Sequence, residues 1–239
     1  MDETLLSGKS MFDFQAYHRR RGATARIPEP ATAGRASRAD LNRAYYRSYA
    51  GESWADLLST GRDWYADLCR RPRPFLSGGL AALRRHRAEG HAVVLVSGSF
   101  LPCLGPLARH LGADSLVCAR PEVTPLGTLT GEIRYPVIGP AKADAVCRIT
   151  GEWRVRPADC FGYADHASDL DFLTTVGHPG VVGDDPVLRA HAGARGWPVL
   201  PAEPVAAPPA DEFTPPDCYC GCALAADLDL DTALEGMPS

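Results

Sequence analysis

Four separated segments of this 239-residue chain carry side chains suited to moving a phosphoryl group. Asp2 and Thr4 stand in Met1-Asp2-Glu3-Thr4-Leu5, and Ser97 and Gly98 in Val96-Ser97-Gly98-Ser99. Lys142 stands by itself, and Asp165 and Asp169 bracket Asp165-His166-Ala167-Ser168-Asp169. Phosphoryl transfer asks a protein mainly for positioning and charge neutralisation. A loop carboxylate such as Asp2 can protonate a leaving oxygen and then deprotonate an attacking water. Asp165 and Asp169, four apart at the end of an apolar run, suit a hard cation such as Mg2+ held by oxygens. The Ser97 hydroxyl and the backbone N–H groups of Gly98 and Ser99, at the start of a helix, suit phosphate oxygens. Lys142 adds a point charge for the same group.

Those residues need a scaffold that presents them together. From residue 75 to 200 short apolar runs alternate with helical patterns. Ala92–Val96, Ser115–Ala119, Cys160–Tyr163, Gly180–Val182 and Pro198–Leu200 read as buried strands. Gly79–Glu89, Leu101–Leu111, Ala141–Thr150, Leu170–Val176 and Pro186–Ala194 read as helices, and 128–137 as a small hairpin around Gly127 and Gly131. Such alternation predicts an α/β fold with a parallel, Rossmann-like sheet. Ser97 and Asp165 then fall just beyond strand ends, where such sheets bind ligands. Residues 9–74 hold no convincing strand. Leu41, Tyr45, Tyr49, Trp54, Leu57, Leu58, Trp64 and Leu68 recur there at helical spacing, as core packing would require. Arg71-Pro72-Arg73-Pro74 closes that zone.

Composition narrows the function classes. Hydrophobic residues make up 45% and charged residues 23%, ordinary for a globular protein. No apolar run reaches about 18 residues, so no membrane span is expected. Neither is a signal peptide. The eight cysteines are scattered through apparent core elements and read as free thiols in a reducing cytoplasm. Residues 201–239 hold eight acidic and no basic residues, along with seven of the 21 prolines, and read as a disordered acidic tail. Cys218, Cys220 and Cys222 in that tail match no common zinc spacing. With the whole chain at −4, residues 1–200 are left about +4. That suits a small anionic ligand but is too slight and scattered for nucleic acid. Runs such as Arg19-Arg20-Arg21 read as solvated helix faces.

Taken as an ordered set, the four segments resemble the haloacid dehalogenase-like superfamily, in its phosphoserine-phosphatase-like branch. Met1-Asp2-Glu3-Thr4-Leu5 resembles the end of that family's Asp-x-Asp-x-Thr-Leu, with the leading Asp immediately before Met1. Val96-Ser97-Gly98-Ser99 is similar to the second motif, Lys142 to the third, and Tyr163 to Leu170 to the fourth. The resemblance implies hydrolysis of a small phosphorylated metabolite through an aspartyl-phosphate, with Mg2+ as cofactor. It implies a core made of 1–8 and 75–200 with a helical cap at 9–74. Asp2 would be the acid/base and lend its carbonyl to Mg2+. Thr4, Ser97, Gly98 and Lys142 would hold phosphate, and Asp165 would bind the metal with Asp169 behind it. The nucleophile and its apolar strand are expected upstream of Met1. Without that strand the sheet should show a gap lined by apolar side chains. Lys9 stands about where phosphoserine phosphatases place a Glu toward the substrate's amino group, which points instead to a substrate with an extra acidic or neutral polar group. His166 stands where a small residue is usual. A phosphate-binding module without turnover and a phosphotransferase are the alternatives.

Overall fold

In a computed structural model, which describes residues 1–22 and 38–213, the described residues between Lys9 and Pro74 form three helices: α1 Ser10–Arg20, α2 Arg38–Arg47 and α3 Trp54–Cys69. The Ser53 side chain starts α3 by accepting the Asp56 N–H at 3.3 Å. Most aromatics on these helices turn inward as the spacing predicts, although Phe12 on α1 is exposed. Phe14, Tyr45, Tyr46, Tyr49, Leu57, Trp64 and Leu68 are buried in one cluster that continues into Phe100, Leu104 and Leu107. Leu41 departs from the pattern and is 47% exposed. Close approach depends on Gly61, where a Cβ would collide with the Pro102 carbonyl.

The rest alternates as expected: β1 Phe75–Leu76, α4 Ser77–Ala88, β2 Val94–Phe100, α5 Leu101–His110, β3 Ser115–Val123, β4 Leu129–Tyr135, α6 Pro140–Glu152, β5 Phe161–Ala164, α7 Leu170–Thr175, β6 His178–Val182, α8 Pro186–Arg195, β7 Val199–Leu200 and β8 Pro204–Val205. β2 runs parallel to β3, and β3 outlasts its expected end to pair antiparallel with β4. The hairpin closes at Gly127, whose φ of +78° favours glycine. β5, β6 and β7 are parallel.

These strands form two three-stranded sheets, β2-β3-β4 and β5-β6-β7, rather than one. Between them lies a slot of about 470 Å³, walled by Val93–Val96 on one side and Cys160–Tyr163 on the other. This is the expected gap. The facing edges of β2 and β5 have no strand partner among the described residues, an arrangement that invites a further strand.

Residues 201–213 are not the expected disordered tail. Val205 and Pro204 pair with Phe75 and Leu76, the Ser77 N–H reaches the Glu203 carbonyl at 2.9 Å, and Phe213 is buried. Proline and acidic content suggested a solvated chain there, but an edge strand tolerates proline and one apolar anchor holds the segment. Residues 214–239, with Cys218, Cys220 and Cys222, lie outside the described residues. Cys69, Cys103, Cys118, Cys147 and Cys160 are free thiols, as expected.

Candidate active site

The N-terminal loop is a tight turn. The Met1 carbonyl accepts the N–H groups of Thr4, Leu5 and Leu6 at 3.3, 2.8 and 3.2 Å. Glu3 takes a φ of +55°, unusual without glycine, and lets the chain reverse. The reversal buries Thr4, whose hydroxyl donates to Asp165 Oδ1 at 2.8 Å. Asp165 directly follows β5. Four residues on, buried Asp169 opens α7 and accepts from Lys142 Nζ at 2.7 Å. Lys142 lies in the first turn of α6, which Pro140 begins after Gly139 turns at φ +56°. The pair is 16% and 8% exposed, well sheltered from water and salt.

The Asp2 carboxyl is buried beside these groups. Its Oδ1 is buried and has no hydrogen-bond partner. Burial pushes the carboxyl above its ordinary range; the Met1 amine and Ser10 pull against that, and the Asp165 charge adds to it. The Met1 amine is buried too. Burial and Lys142 push its pKa down, while Asp165, Asp2 and Asp169 pull it up. One point thus feels Lys142, Asp165, Asp2 and Asp169 together, which is the convergence the sequence predicts.

The Ser97 loop is held from two sides. Ser97 Oγ accepts the Ser99 N–H at 3.1 Å, and Ser99 Oγ accepts from Ser10 at 3.3 Å. The Ser99 N–H expected to meet phosphate is therefore engaged by Ser97. The Gly98 carbonyl accepts from Asn42 Nδ2 at 3.2 Å and Tyr46 OH at 2.9 Å. A Cβ at Gly98 would press on the Val137 carbonyl at 3.1 Å. Asn42 and Tyr46, both on α2, were invisible to motif reading, because nothing in helical spacing says which main-chain group a side chain will meet.

Lys9 precedes α1 and ion-pairs with Glu3 at 3.5 Å, each about half exposed. Its partner is thus an exposed neighbour in the loop and not one of the buried carboxylates. His166 Nδ1 accepts the Ser168 N–H at 3.0 Å, shaping the turn between Asp165 and Asp169. Asp185 steadies the same turn. Its carboxylate accepts the N–H groups of Ala167, Val187 and Leu188 at 3.4, 3.0 and 2.9 Å. Burial raises its pKa, but those N–H bonds and nearby His166 outweigh it and hold the carboxyl below its usual range. Its position before Pro186, a helix-start signal, could have revealed it.

The donors fit a hard cation such as Mg2+: carboxylate and carbonyl oxygens, with a buried Asp2 oxygen lacking a partner. Asp169, committed to Lys142, suits a supporting place better than a direct ligand.

The family model for haloacid dehalogenase-like hydrolases matches residues 1–174. The "Inhibition of morphological differentiation protein" of Streptomyces azureus is 38% identical over 118 residues, 49% of this chain and 43% of that protein. A phosphoserine phosphatase of Mycobacterium tuberculosis is 28% identical over 195 residues, 81% of this chain and 45% of its own. The chain thus spans less than half the length of these curated relatives. Among solved structures, a protein of unknown function from Bordetella pertussis Tohama I superposes with a TM-score of 0.73 at 23% identity, covering 84% of this chain and 95% of that one. That likeness shows a shared fold.

Proposed function

The chain belongs to the haloacid dehalogenase-like hydrolase family, and from that premise we propose that it is the body of a phosphatase acting on a small phosphomonoester. The observation carrying this reading is the gathering of Asp165 against Thr4 and of Asp169 against Lys142, beside the buried carboxyl of Asp2. The reaction also needs a carboxylate nucleophile at that point. A strand laid between β2 and β5 and running into Met1 would bring one there, and would satisfy both open sheet edges.

The first step forms a bond from that carboxylate to phosphorus and breaks the bond from phosphorus to the substrate oxygen. Asp2, kept protonated more readily than an exposed carboxyl, gives its proton to the departing oxygen. Asp2 then takes a proton from water as the water attacks the acyl phosphate, which releases phosphate and restores the carboxylate. Thr4, Ser97, the Gly98 loop and Lys142 orient the phosphoryl oxygens, and Asp169 holds Lys142 in place. The Asp2 carbonyl and Asp165 would hold Mg2+, which neutralises charge on the transferring group. Lys9 and Glu3, exposed in the same loop, meet the part of the substrate beyond the phosphate. Among the described residues no helix is long and apolar enough to cross a membrane, and the free thiols favour the reducing cytoplasm.

The test is Mg2+-dependent phosphate release from an aryl phosphate and a panel of small phosphomonoesters. It compares residues 1–239 with a chain extended by an apolar strand ending in Asp. Turnover in the extended chain, lost in its Asp165→Asn variant, is the expected result. An extended chain that binds phosphate but never turns over would replace this reading with that of a binding module. Product formed only with an added alcohol would make it a phosphotransferase.

A further inference from the structure

The far end of the slot, before β2 and β5 begin, carries side chains with no part in phosphoryl transfer. His86 lies in the last turn of α4. Glu89 follows the helix, and Gly90 reverses the chain at φ +74°. The His91 N–H returns to the His86 carbonyl at 2.9 Å, and the Gly90 N–H to the Arg87 carbonyl at 3.1 Å. This pair of bonds is the Schellman closure, which folds the residue after the glycine back onto the last helical turn. That contact is commonly hydrophobic. Here it joins two imidazoles, with Nδ1 of His86 and Nδ1 of His91 3.0 Å apart.

We propose that His86, Glu89 and His91 form a binding site for a divalent transition-metal ion of the zinc class. Their ligand atoms all lie within 4.8 Å of one another, and Glu89 Oε2 is 3.4 Å from His91 Nδ1. Tetrahedral ligands at zinc distances stand about 3.3 Å apart, so small side-chain rotations complete the set. Two imidazoles and one carboxylate favour zinc, cobalt or nickel over magnesium, and leave a fourth position for water.

The surroundings are those of a supported site. His86 is buried, and its Nε2 is 2.8 Å from the Tyr163 hydroxyl. Nε2–H donating to that hydroxyl leaves Nδ1 free for a metal, while Arg85 Nη2, 3.3 Å from Nε2, competes for that nitrogen. Arg85 Nη2 donates to the same hydroxyl at 2.7 Å, so its charge lies on the Nε2 side, away from the gap between the rings. The Phe161 ring stacks between His91 and His178, with centroids 5.5 and 4.6 Å away, and roofs the cluster. The carbonyl end of α4 adds its negative dipole, which favours a cation.

The experiment reads metal binding directly. Co2+ is followed by visible absorption and Zn2+ by calorimetry. Both use a background carrying Asp165→Asn with Cys218, Cys220 and Cys222 changed to Ser, which removes the other donor sets. One equivalent bound at micromolar affinity is expected, weakened at least tenfold in His91→Ala and in Glu89→Gln. Both residues are about half exposed, so the metal-free variants should melt as the parent does. Binding no tighter than millimolar in the parent, or equal binding in parent and variants, would overturn the proposal; a proton shared between the rings would then account for their approach.

Discussion

The slot has a carboxylate end, at Thr4, Lys142 and Asp169, and an imidazole end, at His86 and His91. The two are assembled by opposite means. Thr4 and Asp165 bond across 161 positions, and Lys142 and Asp169 across 27. His86 and His91 are five apart and need only one helix end and one glycine. The first arrangement exists only if the whole fold does; the second depends on a local turn. Disturbing the packing should therefore damage the carboxylate end and spare the imidazole end.

The sharpest separation comes from Asp2→Asn in the strand-extended chain. Turnover should fall by about 10²–10⁴, while Co2+ binding at His91 stays unchanged. Equal loss at both ends would erase the distinction. Next in size is Gly79→Ala. A Cβ there would strike the Thr4 carbonyl, and a loop shifted by about 1 Å should cost roughly 10² in kcat. Because Gly79 and His86 share α4, metal binding in this variant shows whether the helix moves or only the loop does. Gly61→Ala drives a methyl into the Pro102 carbonyl between α3 and α5. Urea unfolding should show about 1–3 kcal/mol lost.

A pH series on residues 1–239 tests the Asp2 environment. Its folded pKa is raised, so the charged form is disfavoured on folding. Stability should therefore fall as pH rises through the ordinary carboxylate value of 3.8 and beyond. Asp2→Asn should raise the melting temperature near neutral pH, and the gain should vanish toward pH 3.8. A gain independent of pH would mean that charge is not the cause. The smallest effect concerns thiols. Burial pushes Cys118 up to about 12 and Cys103 well above the ordinary thiol range. Peptide mapping after brief alkylation should mark exposed Cys147 and leave these two unmodified.

Strands and helices were legible where apolar runs were continuous, as at Val94–Leu95–Val96, or periodic, as along α3. The gathering of Thr4 with Asp165 and of Lys142 with Asp169 was legible, because phosphate and metal chemistry restricts residue type and strand-end position, and their order follows that restriction. Partner choice was not legible. Tyr46, outside the periodic set, is buried beside Tyr45, and its hydroxyl holds the Gly98 carbonyl. Phe213 lies in a segment whose composition says solvent, but a single aromatic can anchor a polar stretch without altering its average. Lys9 shows the limit of position alone: its charge is met by Glu3, earlier in the same loop, and not by the buried carboxylates.

The Ser7 N–H meets the Pro74 carbonyl at 3.0 Å, and Leu6 faces Phe75. The chain thus leaves for the excursion that carries α1, α2 and α3 and returns through a single doorway. A segment with adjoining ends can be exchanged like a cassette, because a replacement has no distance to bridge. What limits the exchange is the interior seam at Gly61 and Pro102, and the grip of Asn42 and Tyr46 on Gly98. A graft that keeps those few contacts could change what the protein recognises while inheriting its carboxylates intact.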